Sequence, residues 1–178
     1  MSVDPSNNIN LELLTECISG TYNINDDGSI DVGGDVIIRN TNLTKIPFKF
    51  RNVRGDFYCY KNQLTSLEGA PNIVGGVFGC YNNQLTSLEG APNSVGGSFL
   101  CSNNQLISLD GAPKMIGYNF YCRDNPNLPY SELFKMVDRV KGGIYSSSRY
   151  TPEDKDKIRR YRDIKELLKD DELGSLDV

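Results

Sequence analysis

FYCYKNQLTSLEGAPNIVGGV (residues 57–77), FGCYNNQLTSLEGAPNSVGGS (78–98) and FLCSNNQLISLDGAPKMIGYN (99–119) follow one another without a gap and are nearly the same sequence. A degenerate unit, VIIRNTNLTKIPFKFRNVRGD (36–56), precedes them, and a truncated one, FYCRDNPNL (120–128), follows. The cysteines mark a common period of 21 residues: Cys59, Cys80, Cys101 and Cys122. Such self-similarity is typical of solenoids, in which each repeat packs only on its neighbours. The sequence therefore predicts four full turns and a partial fifth.

Each unit carries the pattern F-x-C-x-x-N-x-L. Side chains two positions apart share one face of a β-strand, so we expect Phe78 and Cys80 to point inward and Leu85 and Leu88 to return to the same interior after a turn. The asparagine that ends each strand is expected to bond backbone groups that the turn leaves unpaired. These residues would form an asparagine ladder: Asn62, Asn83, Asn104 and Asn125. The Gly-Ala-Pro tripeptides exclude a long helix and favour an extended or turned convex side.

The pattern matches the second half of the leucine-rich-repeat consensus L-x-x-L-x-L-x-x-N-x-L, with Phe and Cys at two leucine positions. The units resemble the leucine-rich repeats of bacteriophage-encoded proteins, which run as L-T-S-L-x-G-A-P-x-x-V-G-G-x-F-x-C-x-x-N. The resemblance spans about Tyr22 to Leu128 and includes the irregular lead-in YNINDDGSIDVGGDV. The predicted fold class is α+β, a leucine-rich-repeat-like solenoid with a parallel β-sheet, a short N-terminal cap helix and C-terminal helices.

A looser similarity links N-x-L-T-S-L to the short repeats of secreted bacterial ubiquitin-ligase effectors. The catalytic domain of those proteins follows the repeats and uses a nucleophilic cysteine. Here no cysteine follows Cys122, so the resemblance does not extend to ligase activity.

The flanks are expected to cap the solenoid, since its ends would otherwise expose the core. Residues 1–35 are predicted to form an N-terminal cap, in which Asn10 caps a helix of about Leu11 to Ile18 and a hairpin turns at Asp27-Gly28. Leu11, Leu14 and Ile18 would form the apolar stripe of that helix. Residues 36–128 hold the repeats, and 129–145 a capping helix that carries Leu133, Phe134, Val137 and Val140.

Residues 146–178 are predicted to form a linker and a charged helix from Pro152 to about Leu173. Its apolar stripe contains Ile158, Tyr161, Leu167 and Leu168. Two interpretations stay open: the helix docks on the solenoid as a solvated cap, or it binds a partner or a second copy of the chain.

Composition argues against several functions. The chain has 178 residues with 19 basic and 23 acidic side chains, a net charge of −4, so no global positive field attracts nucleic acid. No apolar stretch is long enough to span a bilayer, and the start MSVDPSNN lacks a signal-peptide pattern, so we expect a cytoplasmic location, in the host cell if the chain is phage-encoded. The chain contains no histidine, the commonest general base and metal ligand.

No catalytic residues, cofactor or metal site are predicted. The cysteines would lie in successive turns about 4.8 Å apart, a line too long for tetrahedral zinc ligation at about 2.3 Å, and they are expected to be reduced and buried. Glu68 and Glu89 recur at one position of the repeat, which explains them without catalysis.

A binding site is expected on the concave face, where outward side chains alternate with the inward Phe and Cys. Tyrosine and arginine are over-represented at binding hot spots, and they recur among the candidate residues: Arg39, Tyr58, Tyr60, Lys61, Tyr81, Asn82, Asn103, Tyr121 and Arg123. The competing interpretation is that the tyrosines only stack across strands and support the sheet.

The sequence thus favours a phage-encoded module that engages or inhibits a bacterial host or defence protein through the concave repeat face. The alternative is a structural or assembly component of the virion that self-associates through the C-terminal helix.

Overall fold

The computed structural model describes residues 10–147, so the helix predicted from Pro152 to about Leu173 lies outside the described residues. Within this range the chain forms a parallel β-solenoid of about six turns. Each of the first five turns contributes one short strand to each of two sheets, whose strands pair in parallel except for the strand at the N-terminal edge of the second sheet. Sheet 1 contains β3 (Val36–Ile37), β5 (Phe57–Tyr58), β7 (Phe78–Gly79), β9 (Phe99–Leu100), β11 (Phe120–Tyr121) and β12 (Ile144–Tyr145). Its strands pair in parallel, with Phe57 opposite Phe78 and Phe78 opposite Phe99.

Sheet 2 lies on the side for which the Gly-Ala-Pro tripeptides predicted only extended or turned chain. It contains β1 (Tyr22–Ile24), β2 (Ile30–Val32), β4 (Phe50–Val53), β6 (Ile73–Val74), β8 (Ser94–Val95) and β10 (Met115–Ile116). Neighbouring turns approach closely after these strands. A Cβ at Gly96 would therefore overlap with the carbonyl oxygen of Gly75 in the turn before. This explains why the Gly-Gly pair recurs from unit to unit.

The N-terminal cap largely follows the prediction. Helix α1 spans Leu11–Cys17, and the Asn10 side chain accepts a hydrogen bond from the Leu13 N–H. The predicted hairpin is also present, since β1 and β2 pair antiparallel. The predicted apolar stripe was wrong at its two ends: Leu14 is fully buried, but Leu11 is exposed and Ile18 leaves the helix to pair with Val36.

The interior consists of columns of equivalent side chains from successive turns. The phenylalanine column stacks face to face, with ring centroids 5.1–5.7 Å apart. The columns are Phe57, Phe78, Phe99 and Phe120; Cys59, Cys80, Cys101 and Cys122; Leu64, Leu85 and Leu106; Leu67, Leu88 and Leu109; and Val53, Val74, Val95 and Ile116 from sheet 2. All of these side chains are buried. The repeat pattern predicted the Phe, Cys and Leu columns, whereas the sheet 2 column was not predicted.

The asparagine ladder is present. The Asn104 Nδ2 donates to the carbonyl oxygen of Cys101 in its own turn and to that of Cys80 in the turn before, each at 3.1 Å. Its Oδ1 accepts from the Leu85 N–H at 3.1 Å. Asn83 and Asn125 make the equivalent bonds one turn earlier and one turn later. Each buried amide therefore ties two adjacent turns together.

The C-terminal cap differs from the predicted helix over residues 129–145. A 3₁₀ helix spans Tyr130–Met136 and buries Leu133 and Met136 against the last turn. The chain then re-enters the sheets: Val140 pairs with Ile116, and β12 pairs with β11. Backbone pairing with the exposed edges of both sheets outweighs the helical pattern here, and these residues complete a sixth turn.

The phenylalanine column provides a test of the inward register. Replacing Phe78 by Ala removes a fully buried ring stacked on both Phe57 and Phe99, so we expect the free energy of unfolding to fall by about 3–5 kcal/mol. The control is Tyr81→Ala, which removes one outward stacking partner and should cost about 1.5 kcal/mol or less. Urea unfolding followed by circular dichroism measures both. Equal losses for the two variants would contradict the register.

The ladder provides a second, independent test. Asn104→Ala leaves the buried Leu85 N–H without its acceptor and removes one of the two amide donors to each of the Cys80 and Cys101 carbonyl oxygens. We expect it to destabilise the fold by about 2 kcal/mol or more, since each buried polar group left unpaired costs about 1–3 kcal/mol. Gln105→Ala is the matched control, because Gln105 is the next residue and its side chain is exposed. A loss no larger than that of the control would show that the ladder is not needed for stability.

Candidate protein-binding face

The candidate residues lie on the outward side of sheet 1 and on the loop positions that follow its strands. We call this surface the tyrosine face and define it as Arg39, Tyr58, Tyr60, Lys61, Tyr81, Asn82, Leu100, Ser102, Asn103, Tyr121, Arg123 and Tyr145. The charged residues Arg39, Lys61 and Arg123 and the amide Asn103 are exposed, whereas Asn82 and the tyrosines other than Tyr145 are half-buried. The register that buries Phe and Cys places these side chains outside.

A first aromatic cluster lies on the first three strands of the face, β3, β5 and β7, and on the residues that follow them. The rings of Tyr60 and Tyr81 stack at 4.6 Å between centroids with an interplanar angle of 9°. Tyr58 meets the Tyr60 ring edge-on at 5.9 Å, and it fills the space above Gly79, where a Cβ would lie 2.5 Å from the Tyr58 ring. The Arg39 guanidinium donates to the Tyr60 hydroxyl at 3.0 Å. One arginine and three tyrosines thus form a contiguous surface.

A second cluster lies at the C-terminal end of the face. Tyr121 stacks on Tyr145 at 4.7 Å with an angle of 10°, and the Arg123 guanidinium lies 5.7 Å from the centroid of the Tyr145 ring. The Asn119 amide donates to the Tyr121 hydroxyl at 3.1 Å. Tyr145 was not among the predicted residues of the face, because its strand lies 24 residues after β11, outside the 21-residue period. The motif Ile-Tyr-Ser after Gly143 was the available signal, since it repeats the Phe-Tyr-Cys pattern of β11.

The fourth unit separates the two clusters. Its outward residues are Leu100 and Ser102, both half-buried. At the position of Ser102 the neighbouring turns carry Tyr81 and Arg123. The short Ser102 side chain therefore lies between the ring of Tyr81 in the turn before and the guanidinium of Arg123 in the turn after. The face is therefore not a uniform aromatic array. It consists of two clusters on either side of Ser102, whose side chain is shorter than its neighbours.

Two of the predicted residues have a backbone explanation. Asn40, Lys61, Asn82, Asn103 and Asp124 occupy one position of the turn, and all have φ between 52° and 56°. Asparagine and aspartate adopt this left-handed conformation more readily than other side chains. Conformation alone thus accounts for Asn82 and Asn103. It does not account for the exposed Lys61.

The surroundings of the first cluster shift the pKa values of Tyr58, Tyr81 and Arg39 upward. Burial raises the pKa of Tyr58 and of Tyr81 above the ordinary value, so both hydroxyls stay neutral. The hydrogen bond to the Tyr60 hydroxyl raises the pKa of Arg39, which stays a cation. Within residues 10–147 no carboxylate lies within salt-bridge distance of Arg39, Lys61 or Arg123.

The cysteines have no access to solvent in the repeats. Burial raises the pKa of Cys59, Cys80 and Cys101, and that of Cys122 to about 11. All five cysteines are free. Across the described part of the chain no three His, Cys, Asp or Glu side chains are grouped so that they could hold a metal ion. Glu68 and Glu89 are exposed on the opposite side from the tyrosine face.

Comparisons with known proteins were made at three levels. No protein-family model matches the chain, no curated protein matches it, and no solved structure matches it. Over residues 10–147 the structure contains no helix long and apolar enough to cross a membrane.

The burial of the thiols leads to a labelling prediction. We expect iodoacetamide at neutral pH to modify Cys17, which is half-buried, and to leave the four repeat cysteines unmodified until the protein unfolds. The reason is that the thiolate is the reactive form, and burial both raises the pKa and blocks access. Intact-mass spectrometry in buffer and in urea measures the number of adducts. Five adducts formed at one rate in buffer would contradict the inward register of the cysteines.

Proposed function

We propose that this chain is a leucine-rich-repeat module of the bacteriophage type that binds a bacterial protein through the tyrosine face. The leucine-rich-repeat assignment is supported by the asparagine ladder and by the Phe, Cys and Leu columns, which occupy the positions where the consensus has leucines and asparagine. The phage assignment rests on the resemblance of the repeat units. The location expected for such a protein is the cytoplasm of the host cell.

The observation that carries the binding proposal is the composition and exposure of the tyrosine face. Tyrosine and arginine are enriched at hot spots because each buries a large area while its polar end finds a partner. Here five tyrosines and two arginines lie on one side of one sheet.

Stacking of the tyrosine rings does not explain why two arginines lie on the same face. Tyr60 and Tyr81 support each other, and so do Tyr121 and Tyr145. Arg39 and Arg123, however, extend beyond these pairs and are exposed, and neither pairs with a carboxylate of the described residues. An exposed arginine held against an aromatic ring is partly ordered before binding, which lowers the entropy cost of association.

Capture followed by a quantitative binding measurement tests the proposal. The wild-type chain and a variant with Tyr58, Tyr60, Tyr81 and Arg123 changed to Ala are immobilised and exposed to bacterial lysate. The captured protein is identified by mass spectrometry and purified, and its affinity for each chain is measured by calorimetry. We expect the variant to bind more than tenfold more weakly, since each lost hot-spot residue costs about 2 kcal/mol or more.

The matched control changes Thr65, Glu68, Thr86 and Glu89 to Ala, four exposed residues on other sides of the same turns. Circular dichroism confirms that both variants are folded. A partner that binds both variants as tightly as the wild-type chain would exclude the tyrosine face. A wild-type chain that captures nothing and sediments as a large oligomer would favour the structural or assembly role instead.

A further inference from the structure

The outward residues that follow the strands of sheet 1 form one row across five turns. In order along the solenoid the row reads Arg39, Tyr60, Tyr81, Ser102 and Arg123. We propose that this row binds an extended acidic segment of the partner protein, with an acidic side chain on each arginine and an apolar side chain above Ser102. This inference rests on the proposed function of the tyrosine face and specifies the chemistry of its partner.

Charge favours an acidic partner. The chain as a whole carries a net charge of −4, yet the tyrosine face has three basic residues, Arg39, Lys61 and Arg123. The acidic residues on its margin are Asp124 and, beside Tyr58, Asp35 and Asp56. The row from Arg39 to Arg123 contains no acidic residue itself, and Glu68, Glu89 and Asp110 are exposed outside the face. Complementary charge at an interface steers the encounter and selects the partner. A positive row on a negative protein therefore selects against basic surfaces.

The orientation of the tyrosine rings favours a protein segment over a nucleic acid. Tyr60 and Tyr81 stack nearly parallel, and their 4.6 Å separation matches the strand spacing of about 4.8 Å. The rings therefore stack across the strands, and the Tyr60 hydroxyl accepts from Arg39. Nucleobases bind tyrosine through its face, and the stacking covers the two faces that this pair shares, which leaves the outer face of Tyr81 beside Ser102 as the place for one side chain.

Ser102 provides a place for one apolar side chain. It interrupts the row between the Tyr81 ring and the Arg123 guanidinium, which lie two turns apart, or about 10 Å. The face of Tyr81 that points away from Tyr60 borders this position, and half-buried Leu100 lies beside it. A partner side chain above Ser102 would contact both apolar groups and exclude water from the neighbouring arginine.

The spacing of the row sets the spacing of the partner residues. Arg39 and Arg123 lie four turns apart, which is about 19 Å, and an extended chain advances about 3.3 Å per residue. Two acidic residues six positions apart span about that distance and point to the same side of the segment. The residue four positions after the first acidic one then lies close to Ser102. The recognised pattern is acidic-x-x-x-apolar-x-acidic.

Fluorescence anisotropy with synthetic peptides tests this pattern. The probe is a labelled peptide with two glutamates six positions apart and leucine four positions after the first, and its counterpart has lysine at both glutamate positions. We expect the wild-type chain to bind the glutamate peptide at least tenfold more tightly than the lysine peptide. The variant Arg39→Glu with Arg123→Glu should reverse this preference. The variant Ser102→Tyr should weaken binding of the glutamate peptide at least fivefold.

The controls separate charge from folding. Lys45→Glu with Lys114→Glu changes the net charge by the same amount at two exposed lysines outside the row, and it should leave the preference unchanged. Ser102→Tyr extends the existing stack, so its unfolding curve should match that of the wild-type chain. Equal binding of both peptides, no binding of the glutamate peptide at millimolar concentration, or tighter binding of an oligothymidylate that depends on Arg39 and Arg123 would overturn the inference.

The captured partner distinguishes this inference from the proposed function. The tyrosine variant is the chain with Tyr58, Tyr60, Tyr81 and Arg123 changed to Ala. If the partner loses affinity for the tyrosine variant but does not compete with the glutamate peptide, the face binds protein by other chemistry, and the acidic-segment inference alone fails. If the partner binds the tyrosine variant normally, the proposed function fails. Competition between peptide and partner, lost in the Arg39→Glu, Arg123→Glu variant, supports both.

Discussion

The buried asparagine at the end of each sheet 1 strand is the constraint on which the rest of the structure depends. Its amide nitrogen bonds carbonyl groups of two adjacent turns, and its oxygen accepts from a leucine N–H of the turn before. A buried N–H or carbonyl group without a partner is costly. Each turn therefore bends at the asparagine, whose side chain pairs with the backbone groups that the bend leaves free. The period of 21 residues follows, because any insertion would shift the amide away from its partners.

The same register produces both the core and the tyrosine face. Strand alternation sends Phe and Cys inward, and the adjacent positions must then point outward. In the three nearly identical units the inward residues hardly change, whereas the outward ones vary from Tyr58 to Gly79 to Leu100. Packing accounts for the first set, because a stacked column tolerates little change in volume. It places no such limit on the second set, and there the surface chemistry can vary from turn to turn.

Much of the fold and part of the face could be predicted from the repeats. The inward columns, the ladder and the N-terminal hairpin follow from alternation and turn chemistry within single units, and all are present. The cap over residues 129–145 could not be predicted in the same way. Its apolar spacing suits a helix, but the open edges of both sheets offer backbone partners that a sequence pattern does not show, and Val140 and Tyr145 pair with them instead.

The sequence by itself determined which side chains face inward, where each turn bends and that Arg39, Tyr60, Tyr81 and Arg123 share one outward row, because these depend on local alternation and a fixed period. Only the tertiary structure decided how the row is arranged. The stacking of neighbouring turns sets Tyr60 parallel to Tyr81, brings Tyr145 beside Tyr121 from outside the period, and leaves Ser102 low between two clusters. These are contacts between residues of different turns, and their geometry depends on how closely the backbones of those turns approach.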